Sequence, residues 1–424
     1  MLNSLKSRLK NEYVFAILVK TLVIIVGLLR TVFWARYLGA SMKGDVEYIR
    51  SISSIAFVVF AFGIYEAYPY YRKTIGKEKT LSQFMRIVYK LFVIYLCIGV
   101  AAYFVLEHHN LFLSIALLIV PILSFSRIVQ YIYLIENPNK ANLKTLCVNV
   151  IELLYSIVLL LLVKRSFVLA ITSLFSIELL QAISSVLYLR SGGNVPDSLN
   201  GEEIITIRKL IAFGFFPMLA ALLTTLNYRI DVIMLKNYSN ISSANIGVYS
   251  LGITLVDKLI IIPDTLKAVL ASNLSKGKGA DEVARLTRIC FALSICITIV
   301  AIIIAKPLIS FFYGKEYEGA YTIILISAAG ILFIMFFKLI AQYNIVNKKQ
   351  RRNFVILSVS IIINVFMNML LIPKLGISGA ALATGIGHAI CGLIFIIDFH
   401  NQSGIPYKEI VFIQKRDISQ FRSK

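Results

Sequence analysis

The chain has 424 residues, of which 58% are hydrophobic and only 15% are charged, and its mean hydropathy is +0.81. Soluble domains are about 45–50% apolar and about 25% charged, so this composition excludes a soluble globular protein. The net charge is +21, but the basic residues fall between apolar segments and not on a soluble module, which argues against nucleic-acid binding.

Apolar runs of the length that crosses a bilayer, about 20 residues, recur along the whole chain. Their continuity is unlike the alternation of barrel strands, so we predict an all-α membrane protein. Twelve transmembrane helices are predicted at Tyr13–Trp34, Ile49–Tyr70, Phe84–Leu106, Leu111–Ile135, Leu143–Val163, Phe167–Leu189, Leu210–Leu235, Ile246–Leu270, Leu286–Ala305, Ala320–Val346, Phe354–Ile372 and Ile377–Phe399.

The loops between these segments carry a consistent charge bias. With the N-terminus placed in the cytoplasm, 26 Lys and Arg residues fall on the inner side and 9 on the outer side. Because cytoplasmic loops are enriched in these residues, we expect both termini to be cytoplasmic. No small-residue cleavage site follows the basic N-terminus, which predicts an uncleaved first span.

The organisation predicted from the sequence is two six-helix lobes. The lobes are 1–190 and 210–400, joined by a cytoplasmic linker at 191–209 and followed by a basic cytoplasmic tail at 401–424. A shift of 201 residues superposes Tyr37 on Tyr238 and Tyr48 on Tyr249. Both hairpins keep the same direction, so the repeat is predicted to be parallel, about an axis along the membrane normal.

Five cysteines lie in apolar stretches and form no C-x-x-C pair, so they are interpreted as buried hydrophobic residues and not as a disulfide framework or metal site. We expect no metal and no cofactor. The outer loops are short and hold no D-x-D or H-x-x-x-D pair. An enzyme, such as a membrane polysaccharide polymerase or acyltransferase, is therefore the least favoured class.

Charged residues within the spans are costly, roughly 2.5–3.5 kcal/mol each, so they indicate partners or a water-filled cavity. Most of the central ones are basic, and unmatched cations predict an anionic ligand, with phosphate as the first candidate. The cations within the predicted spans include Lys20, Arg30, Arg50, Lys258, Lys267 and Lys338. The alternatives are that Lys20 and Arg30 extend to opposite interfaces, and that Asp257 and Lys258 form a pair that serves packing alone.

Lys258 is placed at the midpoint of its predicted span, and Pro263 is expected to kink that helix. A second set of charged residues within the spans comprises Asp257, Glu152, Glu178, Arg229 and Asp231. Glu152 and Glu178 could pair with Arg127, or one of them could carry a proton. Arg229 and Asp231 are interpreted as an ion pair or lid at the outer rim, and His388 as a packed histidine.

Several motifs, in order along nearly the whole chain, resemble those of polysaccharide repeat-unit flippases. They are Trp34-Ala-Arg-Tyr-Leu-Gly39 with Lys43-Gly-Asp, Phe62-Gly-Ile-Tyr-Glu-Ala67, Asn227-Tyr-Arg-Ile-Asp231, Ile246-Gly-Val-Tyr249, Phe312-Tyr-Gly-Lys-Glu-Tyr317 and Gly376-Ile-Ser-Gly-Ala-Ala-Leu-Ala-Thr384. The resemblance is to the Wzx-type branch of the MOP (multidrug/oligosaccharidyl-lipid/polysaccharide) exporter superfamily.

This resemblance implies a bacterial inner-membrane flippase that has two six-helix lobes around a central cavity and works by alternating access. Its substrate would be an undecaprenyl-diphosphate-linked oligosaccharide, moved from the inner to the outer leaflet for O-antigen or capsule biosynthesis. The implied partners are that lipid-linked oligosaccharide, membrane lipids and a polysaccharide polymerase complex. The implied diphosphate contacts are Lys20, Arg30, Arg50 and Lys258, and Lys267 and Lys338 are weaker candidates for the same role. The candidates for coupling or gating such transport are Asp257, Glu152, Glu178, Arg229 and Asp231. The alternative is a cation-coupled multidrug antiporter of the same superfamily.

Overall fold

The computed structural model describes residues 2–191, 205–260, 263–264, 266–267, 270, 273–274, 279–415 and 417. Within these ranges every assigned element is helical. The first elements are α1 (Leu2–Ala61), α2 (Tyr68–Ile75), α3 (Lys77–Leu106), α4 (Leu111–Glu136), α5 (Pro138–Leu162) and α6 (Phe167–Ser191). The later ones are α7 (Ile207–Lys236), α8 (Ser243–Asp257), α9 (Ala280–Leu308), α10 (Ala320–Val346), α11 (Gln350–Leu375), α12 (Ile377–Ser403) and α13 (Tyr407–Val411).

In the described residues, ten helical stretches are long and apolar enough to cross a membrane. The predicted all-α membrane fold class is confirmed, whereas the count of twelve helices is not. The first two predicted segments fall together in α1 and the turn after it. The eighth was predicted to reach Leu270, but α8 ends at Asp257 and a 3₁₀ turn, Lys258–Ile260, follows it.

The chain forms two compact units, Met1–Thr225 (unit 1) and Leu226–Lys424 (unit 2). The boundary lies within α7. Most of the predicted linker, 191–209, lies outside the described residues. The division into lobes at that linker therefore stays a prediction.

Unit 1 is organised around α4, which packs against α1, α3 and α6, while α1 also packs along α5. Tyr37, Ile49 and Ile119 belong to one apolar cluster, and Phe84 and Val129 to another. Close side-chain packing is the main source of helix association in lipid, where the hydrophobic effect between helices is absent.

Glycine explains how α1 changes direction. Gly39 has φ 67° and ψ 174° inside this helix, a left-handed backbone conformation that glycine adopts without steric penalty. The helix ends at Ala61, where Phe62 and Gly63 both have positive φ angles. The two predicted segments are thus joined through Gly39, whose position in the Trp34–Gly39 motif is explained by this bend.

A buried carboxylate ties together one end of unit 1. Glu136, at the end of α4, accepts hydrogen bonds from the Tyr68 hydroxyl at 2.7 Å and from Arg72 Nε at 2.6 Å. Lys77 Nζ lies 3.4 Å from its other oxygen. These contacts join α2, α3 and α4, and the Arg72 hydrogen bond, as the main cause, raises the pKa of that guanidinium further above its ordinary value. None of these residues is among the site residues predicted from the sequence.

Unit 2 is built around α12, which packs against α10 and α11. Glycines bring these helices unusually close: a Cβ atom at Gly330 of α10 would overlap the backbone of Gly385 on α12, and one at Gly392 would overlap the Phe333 carbonyl. Small residues at such crossings allow backbones to approach, which is a common basis of helix packing in membranes.

Gly330→Ala is expected to destabilise the protein by about 1–3 kcal/mol, the usual range for overpacking, because only backbone atoms of α12 could make room for the methyl group. Gly385→Ala is the matched control, since the nearest atom to its added Cβ is Ile326 O at 3.6 Å. Thermal unfolding of the purified variants in detergent measures both. Equal melting temperatures for the two variants would contradict the close crossing.

A buried ion pair holds the C-terminal tail against α9 within unit 2. Arg288 of α9 donates from Nε and Nη2 to the two oxygens of Asp417, at 2.5 and 2.6 Å, and from Nη1 to the Glu409 carbonyl at 2.9 Å. Both partners are almost fully buried. The hydrogen bonds from Arg288 lower the pKa of Asp417 below its ordinary value.

This pairing predicts a pH-dependent contribution to stability. Because the pKa of Asp417 is lower in the folded protein than in the unfolded chain, the stabilisation is complete above the ordinary aspartate pKa, about 3.9, and is lost as pH falls through the folded-state value. At pH 7, Asp417→Asn is expected to cost about 3–5 kcal/mol, since Arg288 would be buried without a counter-charge. Melting temperatures of wild type and variant should begin to converge below about pH 4 and should coincide below the folded-state pKa of Asp417. A constant difference between pH 7 and pH 3 would contradict this assignment.

Candidate functional site

Unit 1 brings α1 and α5 together through a charged pair within the spans. Arg30 Nη1 donates to Asn149 Oδ1 at 2.9 Å and to the Glu152 carboxylate. Glu152 is buried, whereas 30% of the Arg30 side chain is exposed. The buried carboxylate is thus paired with a cation through one guanidinium nitrogen, Nη1.

Two further arginines lie near this pair. Arg127 of α4 donates to Glu178 of α6 at 2.9 Å, with 53% of its side chain exposed. Arg50 donates to Glu47 at 3.3 Å and is 46% exposed. Arg30 and Arg50 both lie on α1, which packs against α4, the helix that carries Arg127. The positive charges of Arg50 and Arg127 both act on the Arg30 guanidinium. We call Arg30, Arg50 and Arg127 the arginine cluster.

These contacts correct one premise of the sequence analysis. The central cations were expected to lack matching acids, but Glu152, Glu178 and Glu47 each hold one arginine of the cluster. In unit 2, Lys338 likewise lies 3.2 Å from Asp264. Charged side chains within lipid are stabilised by such pairing, which sequence position alone could not reveal. The side chain of Lys20 lies outside the described residues.

The predicted unit 2 cations occupy different environments. Lys338 Nζ sits 5.6 Å from the Tyr228 ring centroid as well as near Asp264. Lys258 and Lys267 are exposed. The expectation that Lys258 lies at the midpoint of a continuous helix is wrong, because α8 ends one residue before it. Pro263 has no N–H to continue the helical hydrogen bonds.

Asp231 is the centre of a different arrangement in unit 2. Its carboxylate accepts hydrogen bonds from the Tyr249 hydroxyl at 2.9 Å, from Asn368 Nδ2 at 2.7 Å and from the Thr384 hydroxyl. Asn368 also donates to Asn364 Oδ1 at 3.1 Å. All five side chains are buried. We call them the Asp231 cluster, and they come from α7, α8, α11 and α12.

The chemistry of this cluster is that of an oxygen-rich site. Each of these hydrogen bonds joins Asp231 to a neutral side chain; its pairing with Arg229 as a rim ion pair or lid stays a prediction. Asn368 Oδ1 and Asn364 Nδ2 are buried without a hydrogen-bond partner among the described residues. Leaving such atoms unpaired costs about 1–3 kcal/mol each, and a carboxylate with amide and hydroxyl oxygens suits a proton or a hard cation.

His388 lies one turn beyond Thr384 on α12 and contacts Asn227 Oδ1 at 3.1 Å through Nε2. It is buried, and its ring lies 6.1 Å from that of Tyr228. This environment agrees with the prediction of a packed histidine.

Asp231 was predicted from the sequence as a site residue, but the other four members of the cluster were not. Tyr249 and Thr384 end two of the motifs that carry the family resemblance, and Asp231 ends a third. Asn364 and Asn368 are two amides spaced four residues apart on one apolar helix, a pattern that places both on the same face. The convergence of three motifs in one cluster is visible only in the fold.

No protein-family model and no curated relative matches the sequence. Several solved structures share its fold. The lipid II flippase MurJ, in an inward closed conformation, matches with a TM-score of 0.70 at 18% identity, covering 94% of this chain and 89% of that one.

Multidrug transporters match the chain as well. An inward-facing multidrug resistance MATE family transporter of the MOP superfamily has a TM-score of 0.68 at 12% identity, covering 91% of this chain and 98% of that one. A mutant of the Vibrio cholerae MATE transporter VcmN has a TM-score of 0.60 at 12% identity, covering 93% and 98%. The chain therefore has the all-α membrane fold of MurJ and of the MATE transporters of the MOP superfamily.

Proposed function

We propose that the protein is a flippase that moves undecaprenyl-diphosphate-linked oligosaccharide repeat units from the inner to the outer leaflet, for O-antigen or capsule biosynthesis. Similarity in fold to a lipid II flippase supports a lipid-linked substrate. Alternating access would present the headgroup first to one side of the membrane and then to the other. The setting we propose is a bacterial inner membrane with both termini cytoplasmic, and a polysaccharide polymerase complex as partner.

The observation that carries this proposal is the arginine cluster. In the described residues, each of its guanidinium groups uses one nitrogen in its hydrogen bonds: Nη1 of Arg30 and Arg50, and Nη2 of Arg127. A guanidinium has five N–H donors in a planar fork that matches phosphate oxygens. Three such groups with donors to spare suit a diphosphate better than a single cation would.

Other predicted contacts stay within the proposal. Lys258 and Lys267 are exposed and able to meet an anionic headgroup, and Lys20 stays an expectation. Lys338 is held by Asp264, so a substrate contact there would have to exchange with that carboxylate. Asp257, Glu152, Glu178 and Arg229 remain candidates for coupling or gating.

We further propose that the Asp231 cluster binds the coupling cation, a proton or sodium ion. Its buried carboxylate, amide oxygens and hydroxyls can replace the hydration shell of a small cation. Uptake of a cation would also partner the unpaired Asn368 Oδ1. A site whose charge and hydrogen bonds change with occupancy can bias a conformational equilibrium, because the cation would bind the two states with different affinity.

The second candidate is a cation-coupled multidrug antiporter, which the MATE similarity supports. Cationic drugs would meet repulsion at the arginine cluster, where two half-exposed guanidiniums lie near Arg30. Like-charge contacts of this kind select against such ligands. We therefore favour the anionic substrate.

The test is flipping of a fluorescent undecaprenyl-diphosphate oligosaccharide in proteoliposomes, followed through quenching by a membrane-impermeant reagent. Wild type is expected to flip the label, and Arg50→Gln and Arg127→Gln to slow flipping by about tenfold or more, since a charge-assisted hydrogen bond contributes about 1.5–3 kcal/mol. Lys315→Gln, at an exposed cation outside the cluster, is the matched control and should flip normally.

Two results would contradict the proposal. Export of a cationic dye, without flipping of the lipid, would favour the antiporter. Flipping that is equally fast in wild type and in both arginine variants would keep the activity and remove the arginine cluster from the site.

A further inference from the structure

A groove opens between α11 and α12 in unit 2, where α11 begins and α12 ends. Its volume is about 640 Å³. Lys349, Arg351 and Arg352 line its mouth, and Val355, Ile394 and Ile397 contribute its apolar part. The groove thus combines a basic rim with an apolar floor, on two helices that are both long and apolar enough to span a membrane.

The charge at the mouth is only partly neutralised. Arg352 donates to Asp398 at 2.5 Å, and the other Asp398 oxygen accepts from Gln402 at 2.7 Å. Lys349 contacts only the neutral Gln402 amide oxygen, at 2.9 Å, among the described residues. Arg351 is exposed and forms no ion pair within the described ranges. Three cations against one carboxylate leave two positive charges at the rim.

An exposed apolar stripe continues from the groove along α11. Its side chains recur every three or four residues and thus share one face of the helix. Their exposed fractions are 51% for Val355, 38% for Val359, 67% for Ile362, 59% for Phe366 and 57% for Met369. A ligand seated in the groove would therefore meet cations at its head and a continuous apolar surface along the length of its tail.

We infer that this groove binds an anionic phospholipid, with its headgroup phosphate at Lys349 and Arg351 and an acyl chain along the α11 stripe. Basic pockets between membrane helices are suited to anionic headgroups, and the charges here are complementary to one or two phosphate diesters. The predicted topology puts this end of the helices in the cytoplasm. The site shares no residue with the arginine cluster and stands whether or not the protein is a flippase.

The inference is tested by native mass spectrometry of the full-length protein in detergent, titrated with phosphatidylglycerol, cardiolipin or phosphatidylethanolamine. Wild type is expected to bind the two anionic lipids more tightly than the zwitterionic one. Arg351→Ala should weaken anionic lipid binding about fivefold, and the double variant Lys349→Ala/Arg351→Ala about 25-fold, from the usual contribution of one basic residue near an anionic surface. Arg351→Lys should retain most of the affinity.

Lys374→Ala is the matched control, because Lys374 is an exposed cation at the opposite end of the same helix. The Lys374→Ala variant should bind anionic lipids as tightly as wild type does. Inorganic phosphate at millimolar concentration should compete poorly, since it lacks the acyl chain. Equal binding of all three lipids, equal losses in Lys374→Ala and Arg351→Ala, or full displacement by inorganic phosphate would overturn the inference.

Discussion

Replacing Asp231 with asparagine is expected to abolish cation-coupled transport and to leave the fold intact. Asparagine has nearly the same shape and keeps one oxygen to accept from Tyr249 or Thr384, but it removes the only charge within the Asp231 cluster. A hydrogen bond or contact to a charged group contributes about 1.5–3 kcal/mol, so cation affinity should fall about 10- to 150-fold. The measurement is substrate movement in proteoliposomes under an imposed sodium or proton gradient.

A second readout reports binding without transport. If sodium is the coupling ion, wild type should have a higher melting temperature in sodium than in potassium. At a sodium concentration 100 times the dissociation constant, the free energy of unfolding should rise by about 2.7 kcal/mol. Asp231→Asn should lose this shift, and Tyr249→Phe should reduce it by less. If the ion is a proton, sodium should have no effect and the gradient dependence should be on pH alone.

Asp257→Asn separates this assignment from its main competitor. Asp257 is a half-buried carboxylate in the same unit, at the end of α8. Should its replacement abolish gradient dependence while Asp231→Asn retains it, the coupling site would belong to α8 and the Asp231 cluster would be structural.

The second large effect is expected at the Arg30–Glu152 pair. Arg30→Gln and Glu152→Gln should each destabilise the protein by about 3–5 kcal/mol, because each leaves one charge within the span without its partner. The double variant Arg30→Gln/Glu152→Gln should recover most of that stability, since two neutral amides can hydrogen-bond to each other. Thermal unfolding in detergent measures the three variants.

Transport by the double variant then distinguishes packing from substrate binding. If Arg30 binds the diphosphate, the stable double variant should still flip the labelled lipid about tenfold or more slowly, because a charge-assisted hydrogen bond is missing. Recovery of both stability and flipping would assign the pair a structural role only. Glu152→Gln alone should bind an anionic headgroup more tightly, since the competing carboxylate is gone.

The fold class could be predicted from the sequence because its signal is local. A run of about 20 apolar residues has to span as a helix, since lipid offers no partner for its backbone N–H and C=O groups. The predicted helix boundaries were wrong at positions where backbone conformation, and not apolarity, determines where a helix bends or ends. The positive φ of Gly39 places two predicted segments in one bent element, and α8 ends before Pro263. Neither the bend nor the early helix end alters the hydropathy of the chain, so hydropathy could not predict them.

The candidate site could be predicted only in its parts. Arg30, Arg50, Glu152 and Glu178 were found because any charge in an apolar run stands out. Their pairing was not predictable, since Arg30 and Glu152 are 122 residues apart in the chain and meet only because α1 packs along α5. Neutral polar residues such as Asn364 and Asn368 gave too weak a signal to be chosen.

The sequence by itself determined that this is an all-α membrane protein and which charged residues lie in its apolar segments. These properties depend on the transfer of individual side chains and backbone groups between water and lipid, so each segment carries its own information. Only the tertiary structure decided which cation meets which acid, and that Asp231, Tyr249 and Thr384 share one buried cluster. Such contacts depend on which helices pack together, and helix packing is not encoded in any one segment.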